Sequence, residues 1–308
     1  MVAELEDQPA IQAEMMTLLG GIYITLGRYD DAARQLSPAL VILRRLHGPV
    51  HEDVVRTAEL LATALHYDGR YRESERLLRE VLTARRSLSG TESREVGEAL
   101  NDLGDLLHSL GELPRAERVL RLALRIQASV AGEDSHAVAR AQRDLANVLR
   151  DRGAFEEAET LYRRSLAISR ARLGAVDPIV ARTQNELARL LAETGAHGEA
   201  EDLLREDLSV YAVLYPSGHP MEGTTYRNLG LLRLREGRPL EARRALERAL
   251  DIYDRTFAQT NAFIPRTERF LAEALLASGD PDSAAVVAAR AVAHLRALGP
   301  SRHPVSYT

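Results

Sequence analysis

The chain has 308 residues, a net charge of −5, 45% hydrophobic and 28% charged residues, so it can bury a core and is not, as a whole, a polyanion binder. It has no cysteine, which excludes disulfides, thiolate metal sites and cysteine nucleophiles and suits a reducing compartment, so the cytoplasm is expected. All 40 basic residues are arginine, which excludes a Gly-Lys-Ser/Thr phosphate loop, a kinase ATP-anchoring lysine and Schiff-base chemistry.

At the N-terminus Glu4, Glu6 and Asp7 stand where a secretory signal would be basic, and no run approaches ~18 apolar residues. Neither a signal nor a membrane span is expected. From there on a register governs the chain. Gly27, Gly69, Gly111, Gly153, Gly195, Gly237 and Gly279 recur every 42 residues without insertion or deletion. Eight residues before each stands a leucine, from Leu19 through Leu145 to Leu271, and the next residue is always Gly or Ala. A small residue follows five after each glycine, and Leu or Val thirteen after, ending with Val292. Four independent offsets that match seven times define a repeat.

The spacing on both sides of each glycine is helical. Leu145 and Leu149 precede Gly153 four apart, and Ala158, Tyr162 and Leu166 continue the period after it. Glycine suits the stop of the first helix because a left-handed cap costs it nothing. Asp31, Glu73, Glu157, Glu199 and Glu241 complement the dipole of the second helix, and Pro239 and Pro281 fit its first turn. Repeats of about 10–51, 52–93, 94–135, 136–177, 178–219, 220–261 and 262–303 follow, with 304–308 starting a truncated connector. A single such hairpin cannot bury its apolar face, so neighbours must stack into one array over residues 1–308. Short connectors are expected at Gly48-Pro49, Gly90-Thr91, Gly132-Glu133, Gly174 to Pro178, Pro216 to Pro220 and Gly299-Pro300. The last helix, Ser283 to Leu298, lacks a polar outer face, so it is expected to pack on a missing repeat, on a neighbouring domain or, by self-association, on a second copy of the chain.

Leu-Gly/Ala, then Gly, then Ala at these offsets resembles the tetratricopeptide signature along nearly the whole chain. The usual repeat has ~34 residues, and the 42-residue form is similar to the kinesin-light-chain class. Asp177-Pro178, His219-Pro220 and His303-Pro304 match the connector of that class, while Ser93-Arg94 and Asn261-Ala262 depart from it. The resemblance implies an all-α fold, an α-solenoid in which seven helix-turn-helix repeats wind into a right-handed superhelix. The opening, Glu4 to Pro9 followed by Gln12-Ala13-Glu14, resembles the start of arrays behind bacterial serine/threonine kinase domains, implying a regulatory or docking region of a larger bacterial protein.

In tetratricopeptide arrays the first helix of each hairpin lines a concave groove, so the resemblance nominates residues 13, 10, 6 and 3 before each glycine. In the N-terminal half these include His66, Asn101, Asp105 and His108. The fourth hairpin supplies Arg140, Arg143, Asn147 and Arg150, and the fifth Arg182, Asn185 and Arg189. The sixth supplies Arg227 with Asn228 beside it, and the seventh Arg266 and Arg269. Arginine forks match carboxylates and asparagine can pair with an extended backbone, so a protein or peptide partner, acidic in character, is expected in this groove. Asn101 and Asn185 are carried over from related peptide-binding arrays. The competing reading is a charged face satisfied by its own ion pairs, such as Arg140 with Asp144 and Arg182 with Glu186.

His66 and His108 are expected to lie near each other as groove lining, without a metal. His47 and His51 are four apart, but Gly48-Pro49 breaks the helix that would align them. No cofactor motif and no catalytic constellation is present, so a non-enzymatic scaffold is expected. An architectural or oligomerisation array acting through its end helix is the alternative. RNA binding is a lesser one, because the inner face offers chiefly Tyr67 and Tyr226 for stacking. Finally, Asp207 and Arg233 replace apolar residues on successive helices, and a partly buried Asp207–Arg233 pair is expected.

Overall fold

The computed structural model describes residues 8–216, 218–256 and 263–298, which form fourteen α-helices with no strand among the described residues. In chain order they are α1 (Pro9–Thr25), α2 (Tyr29–His47), α3 (Glu52–Tyr67), α4 (Tyr71–Ser89), α5 (Arg94–Ser109), α6 (Leu113–Ala131) and α7 (His136–Asp151). There follow α8 (Phe155–Leu173), α9 (Pro178–Thr194), α10 (His197–Leu214), α11 (Pro220–Arg235), α12 (Pro239–Thr256), α13 (Phe263–Ala277) and α14 (Pro281–Leu298). None of these helices is long and apolar enough to cross a membrane.

The chain divides within α7 into two compact units, one up to Val148 and one from Leu149. In the first unit each helix from α1 to α6 packs on the next, and the odd-numbered helices also touch, α1 on α3 and α3 on α5. The second unit repeats the scheme from α8 to α14, with α9 on α11 and α11 on α13. Consecutive helix pairs of constant register are the plan of an α-solenoid.

The repeated glycines explain why the hairpins match. All seven have φ between 70° and 90°, the left-handed region open to glycine. The N–H of the residue after the glycine then reaches the carbonyl five residues back, as in Arg28 to Tyr23 (2.8 Å), Glu112 to Leu107 (2.9 Å) and Asp280 to Leu275 (3.0 Å). That Schellman-type bond ends the first helix at the same place each time. At the other end of the hairpin the connector residues cap the next first helix. The Asp177 carboxylate accepts from Ile179 N–H (2.7 Å), His219 Nδ1 from Met221 N–H (3.1 Å) and Ser93 Oγ from Val96 N–H (3.2 Å). Ser93 departs from the connector pattern in name and fills the same role. Asn261-Ala262, Gly299-Pro300, His303-Pro304 and Glu4 to Asp7 lie outside the described residues.

The tiny residue seven before each glycine marks a contact between the paired helices. A Cβ on Gly20, Gly104 or Gly230 would fall 2.4, 2.4 or 2.6 Å from the Cγ of Leu36, Leu120 or Leu246. Those leucines are completely buried. Gly104→Val should therefore destabilise the first unit by about 1–3 kcal/mol through overpacking. Urea unfolding checks this, and an unchanged midpoint would show that the hairpin opens to admit the side chain.

The expected Asp207–Arg233 pair is not what forms. Asp207 is fully buried and its carboxylate accepts from Asn185 Nδ2 (2.9 Å), while Arg233 spans Glu201 (3.0 Å) and Glu236 (2.6 Å). The reason is register along α10. Arg233 lies in the last turn of α11, level with the start of α10 where Glu201 sits. Asp207 is six residues further along, about 9 Å at ~1.5 Å per residue.

Candidate functional site

The nominated inner-face residues are best followed from their own helices outward, beginning with the first unit. Asp144 on α7 is a buried acid that several side chains reach. Asn101 Nδ2 on α5 donates to it (2.6 Å), Arg143 donates to its other oxygen through Nε and a terminal nitrogen (3.0 and 2.9 Å), and Arg140 stands 3.7 Å away. Arg140 also bonds Asp102 of α5. Asn101, Arg143 and Asn147 are all buried. His66 meets Ser109 Oγ (2.9 Å) and lies 4.0 Å from Asp105, while His108 is buried. Residues about 43 apart therefore bind one another across neighbouring first helices.

Arg85 extends this pattern and was not among the nominated residues. It sits on α4, nearly inaccessible, with a bidentate grip on Glu59 (2.8 Å for each bond) and a further bond to Glu52 (2.8 Å). The Glu59 hydrogen bonds, against an opposing burial effect and with help from Glu52, raise its pKa above the usual arginine range. A signal existed in the sequence. Arg85 occupies the place held by Leu43, Tyr211 and Tyr253 in other hairpins, and Glu59 the place held by Asn101 and Arg143.

In the second unit the guanidinium of Arg150 is 1% exposed and bonds Tyr162 Oη (3.0 Å), Glu186 (2.9 Å) and Asp151 (2.9 Å). Burial works against its charge, yet the oxygens of Tyr162, Glu186 and Asp151 outweigh it and raise the pKa. Arg189 is half-buried, 3.4 Å from Glu186. Asn185 donates to Asp207 and to Thr225 Oγ1 (2.6 Å) and accepts from Asn228. Lone-sided support of this kind leaves Asp207 Oδ1 unpartnered, and burial pushes its pKa up to about 9.

Further along, the buried Arg227 lies over the Phe263 ring (5.3 Å) and the exposed Arg269 over Phe270 (4.3 Å). Glu268, also missed by sequence reasoning, is buried and bonds Arg290 and His294 Nδ1 (2.8 Å) on α14. Arg182 is exposed and Arg266 half-buried. The nominated set thus separates into two groups. Asn101, His108, Arg143, Asn147, Arg150, Asn185, Arg227 and Asn228 are buried, whereas His66 and Arg140 of the first unit and Arg182, Arg189, Arg266 and Arg269 of the second are half-buried or exposed.

The connector between α2 and α3 departs from expectation. Gly48 and Pro49 break the helix, but the turn they make stacks the His47 and His51 rings with centroids 4.3 Å apart. With Asp53 they form a group whose ligand atoms lie within 4.8 Å of one another. At the equivalent place in the fifth connector the Tyr215 and His219 rings lie the same 4.3 Å apart, tilted by 31°. A tyrosine serves there as well, so the ring contact belongs to the connector itself.

These observations place the chain in a known class. The tetratricopeptide repeat model matches residues 12–87, 58–129, 95–171, 137–212, 180–255 and 221–297, and the chain belongs to the tetratricopeptide repeat family. Among solved structures it is similar to BtubC (BKLC) from P. vanneervenii, with 22% identity, a TM-score of 0.59, and 78% of this chain and 95% of that one covered. A putative kinesin light chain with nearly identical TPR-like repeats from P. anserina gives 22% identity and a TM-score of 0.53, over 68% and 98% of the two chains. The Rap conjugation gene regulator of plasmid pLS20, in complex with the Phr* peptide, gives 14% identity and a TM-score of 0.75, over 99% and 80%. At such identities the likeness is one of fold. No curated protein is a significant match.

Proposed function

We propose that the chain is a non-catalytic interaction scaffold that takes an acidic peptide or protein segment on the first-helix face of its second unit. The observation that carries this is the division among the nominated arginines. Arg143, Arg150 and Arg227 are buried among their own chain's side chains and the half-buried Arg140 of the first unit is held by Asp102 and Asp144, while Arg182, Arg189, Arg266 and Arg269 come to the surface along α9 and α13. A guanidinium at the surface can grip a carboxylate with two parallel hydrogen bonds. The pLS20 regulator, of the same fold, holds a peptide, which supports a peptide or protein as the ligand here too. A single cytoplasmic array serving as a docking region of a larger bacterial protein is the setting in which we place it.

The test is a display of random peptides on the purified chain, repeated with Arg182→Glu, Arg189→Glu and Arg269→Glu combined. The wild type should enrich Asp- and Glu-rich sequences and bind them more weakly as salt rises, and the triple variant should lose them. Enrichment that the triple variant retains unchanged would exclude this face. Reversing Arg143 or Arg227 would be a poor test, because both are buried and their loss would report on folding.

A further inference from the structure

The connectors between hairpins share a backbone and differ in their side chains. Gly48, Gly90, Gly132 and Gly174 open four of them with φ of 77°, 86°, 83° and 83°, so a residue in one connector has its counterparts at steps of 42. Three residues after the glycine comes the cap of the next first helix. His51 Nδ1 accepts from Asp53 N–H (3.3 Å), as Ser93, Asp177 and His219 accept in theirs. A serine or an aspartate does this as well, so capping does not call for histidine. What sets the first connector apart is a second imidazole and a carboxylate beside the cap. His47, His51 and Asp53 each bring a ligand atom to within 4.8 Å of the other two. The same places hold Ser89, Ser93 and Glu95 in the second connector, and Tyr215, His219 and Met221 in the fifth. No other connector has two imidazoles there, or an imidazole with a carboxylate.

Two of the three donors are already in place. Arg56 holds Asp53 by Oδ1 (3.2 Å), and Oδ2 faces His51 Nδ1 at 3.6 Å. Ligand atoms around a tetrahedral zinc ion, with bonds of ~2.0–2.1 Å, lie about 3.3 Å apart. That pair needs almost no movement, and His47, within 4.8 Å of both, has to close by at most about 1.5 Å. Its ring lies nearly parallel to that of His51, at 16°, so the two sets of lone pairs run side by side and His47 must turn to aim its own inward. It has the room, being exposed and the last residue of α2. At His51 a metal takes over the Nδ1 lone pair that accepts the long bond from Asp53 N–H.

We propose that His47, His51 and Asp53 bind one zinc ion, with water completing its shell. Two imidazoles and a carboxylate form a donor set that suits zinc and leaves part of its coordination open. The ion ties the last residue of α2 to the first turn of α3, so it clasps the first hairpin to the second. It goes beyond the peptide-binding reading and uses none of that reading's arginines.

Isothermal titration of the full chain, free of any histidine tag, with zinc chloride tests it. The wild type should take up zinc at this site, and its thermal unfolding midpoint should rise with zinc concentration. His47→Ala, Asp53→Ala and His51→Ser, the last keeping a cap of the Ser93 kind, should each weaken that binding by more than about 10-fold, the least that losing even an outer partner of a metal ligand costs. His219→Ser, in the fifth connector, should leave it unchanged. Circular dichroism confirms that each variant keeps its helices, and His51→Asn replaces His51→Ser should that one lose them. A wild type that takes up no zinc at millimolar concentration would overturn the proposal. So would unchanged affinity in any of the three variants of the first connector, or an equal loss in His219→Ser, since either would assign the zinc to scattered surface histidines.

Discussion

Replacing Arg150 with alanine should cost the second unit about 3–5 kcal/mol, the range for removing one partner of a buried ionic cluster. The guanidinium is 1% exposed and is shared by Tyr162, Glu186 and Asp151. Its removal would take one partner from the Tyr162 hydroxyl, whose ring is completely buried, and leave Glu186 and Asp151 to Arg189, 3.4 and 4.0 Å away. Chemical denaturation followed by circular dichroism measures the loss. A companion variant separates the causes. Arg150→Met with Tyr162→Phe removes the hydroxyl that Arg150 contacted and fills most of the volume, so it should recover part of the loss. A drop under about 1 kcal/mol for Arg150→Ala would mean that water enters and replaces the guanidinium.

Asp207→Asn should move stability the other way. An aspartate in an unfolded chain titrates near ~3.9, whereas burial holds Asp207 in the folded chain at about 9. Between those values the folded form keeps a proton that the unfolded form has released, so stability falls as pH rises from about 4 to about 9 and is level outside that window. Each pH unit crossed costs about 1.4 kcal/mol, which makes the burden about 4 kcal/mol at pH 7. Asparagine keeps an oxygen for Asn185 Nδ2 and has no proton to lose. The variant should gain about 2–4 kcal/mol at pH 7, and its advantage should widen towards pH 9. Wild-type and variant stability curves that run parallel from pH 5 to pH 9 would refute the assignment.

Both residues show where sequence reasoning stops. The hairpin plan was legible because it rests on residues whose role is local: Gly27 and its six equivalents end helices by backbone conformation alone, and Ser93 or Asp177 caps the next turn within three residues. The fate of a polar side chain is not local. Arg150 finds Glu186 thirty-six residues away, and Asn101 finds Asp144 forty-three away. The repeat period says that such residues become neighbours, but not which of several forks and carboxylates join. Asp207 was recognised as out of place and given the wrong partner for that reason: Asn185, on the preceding helix, lay nearer than Arg233. Arg85 was missed for a different reason: it stands on a second helix, outside the nominated first-helix positions, and an acid at the groove position draws it inward.

The constancy of the caps has a consequence for how such a chain can change length. The first helix of each hairpin ends with the same glycine conformation and the same backbone bond spanning five residues, and each hairpin's glycine follows its predecessor's by 42 residues. Recombination between equivalent codons of neighbouring hairpins within one unit removes or duplicates one whole hairpin and leaves every helix terminus intact. Gain or loss of surface in this chain is thus quantised, and a change of partner can arise by adding or deleting a complete module while its neighbours keep their fold.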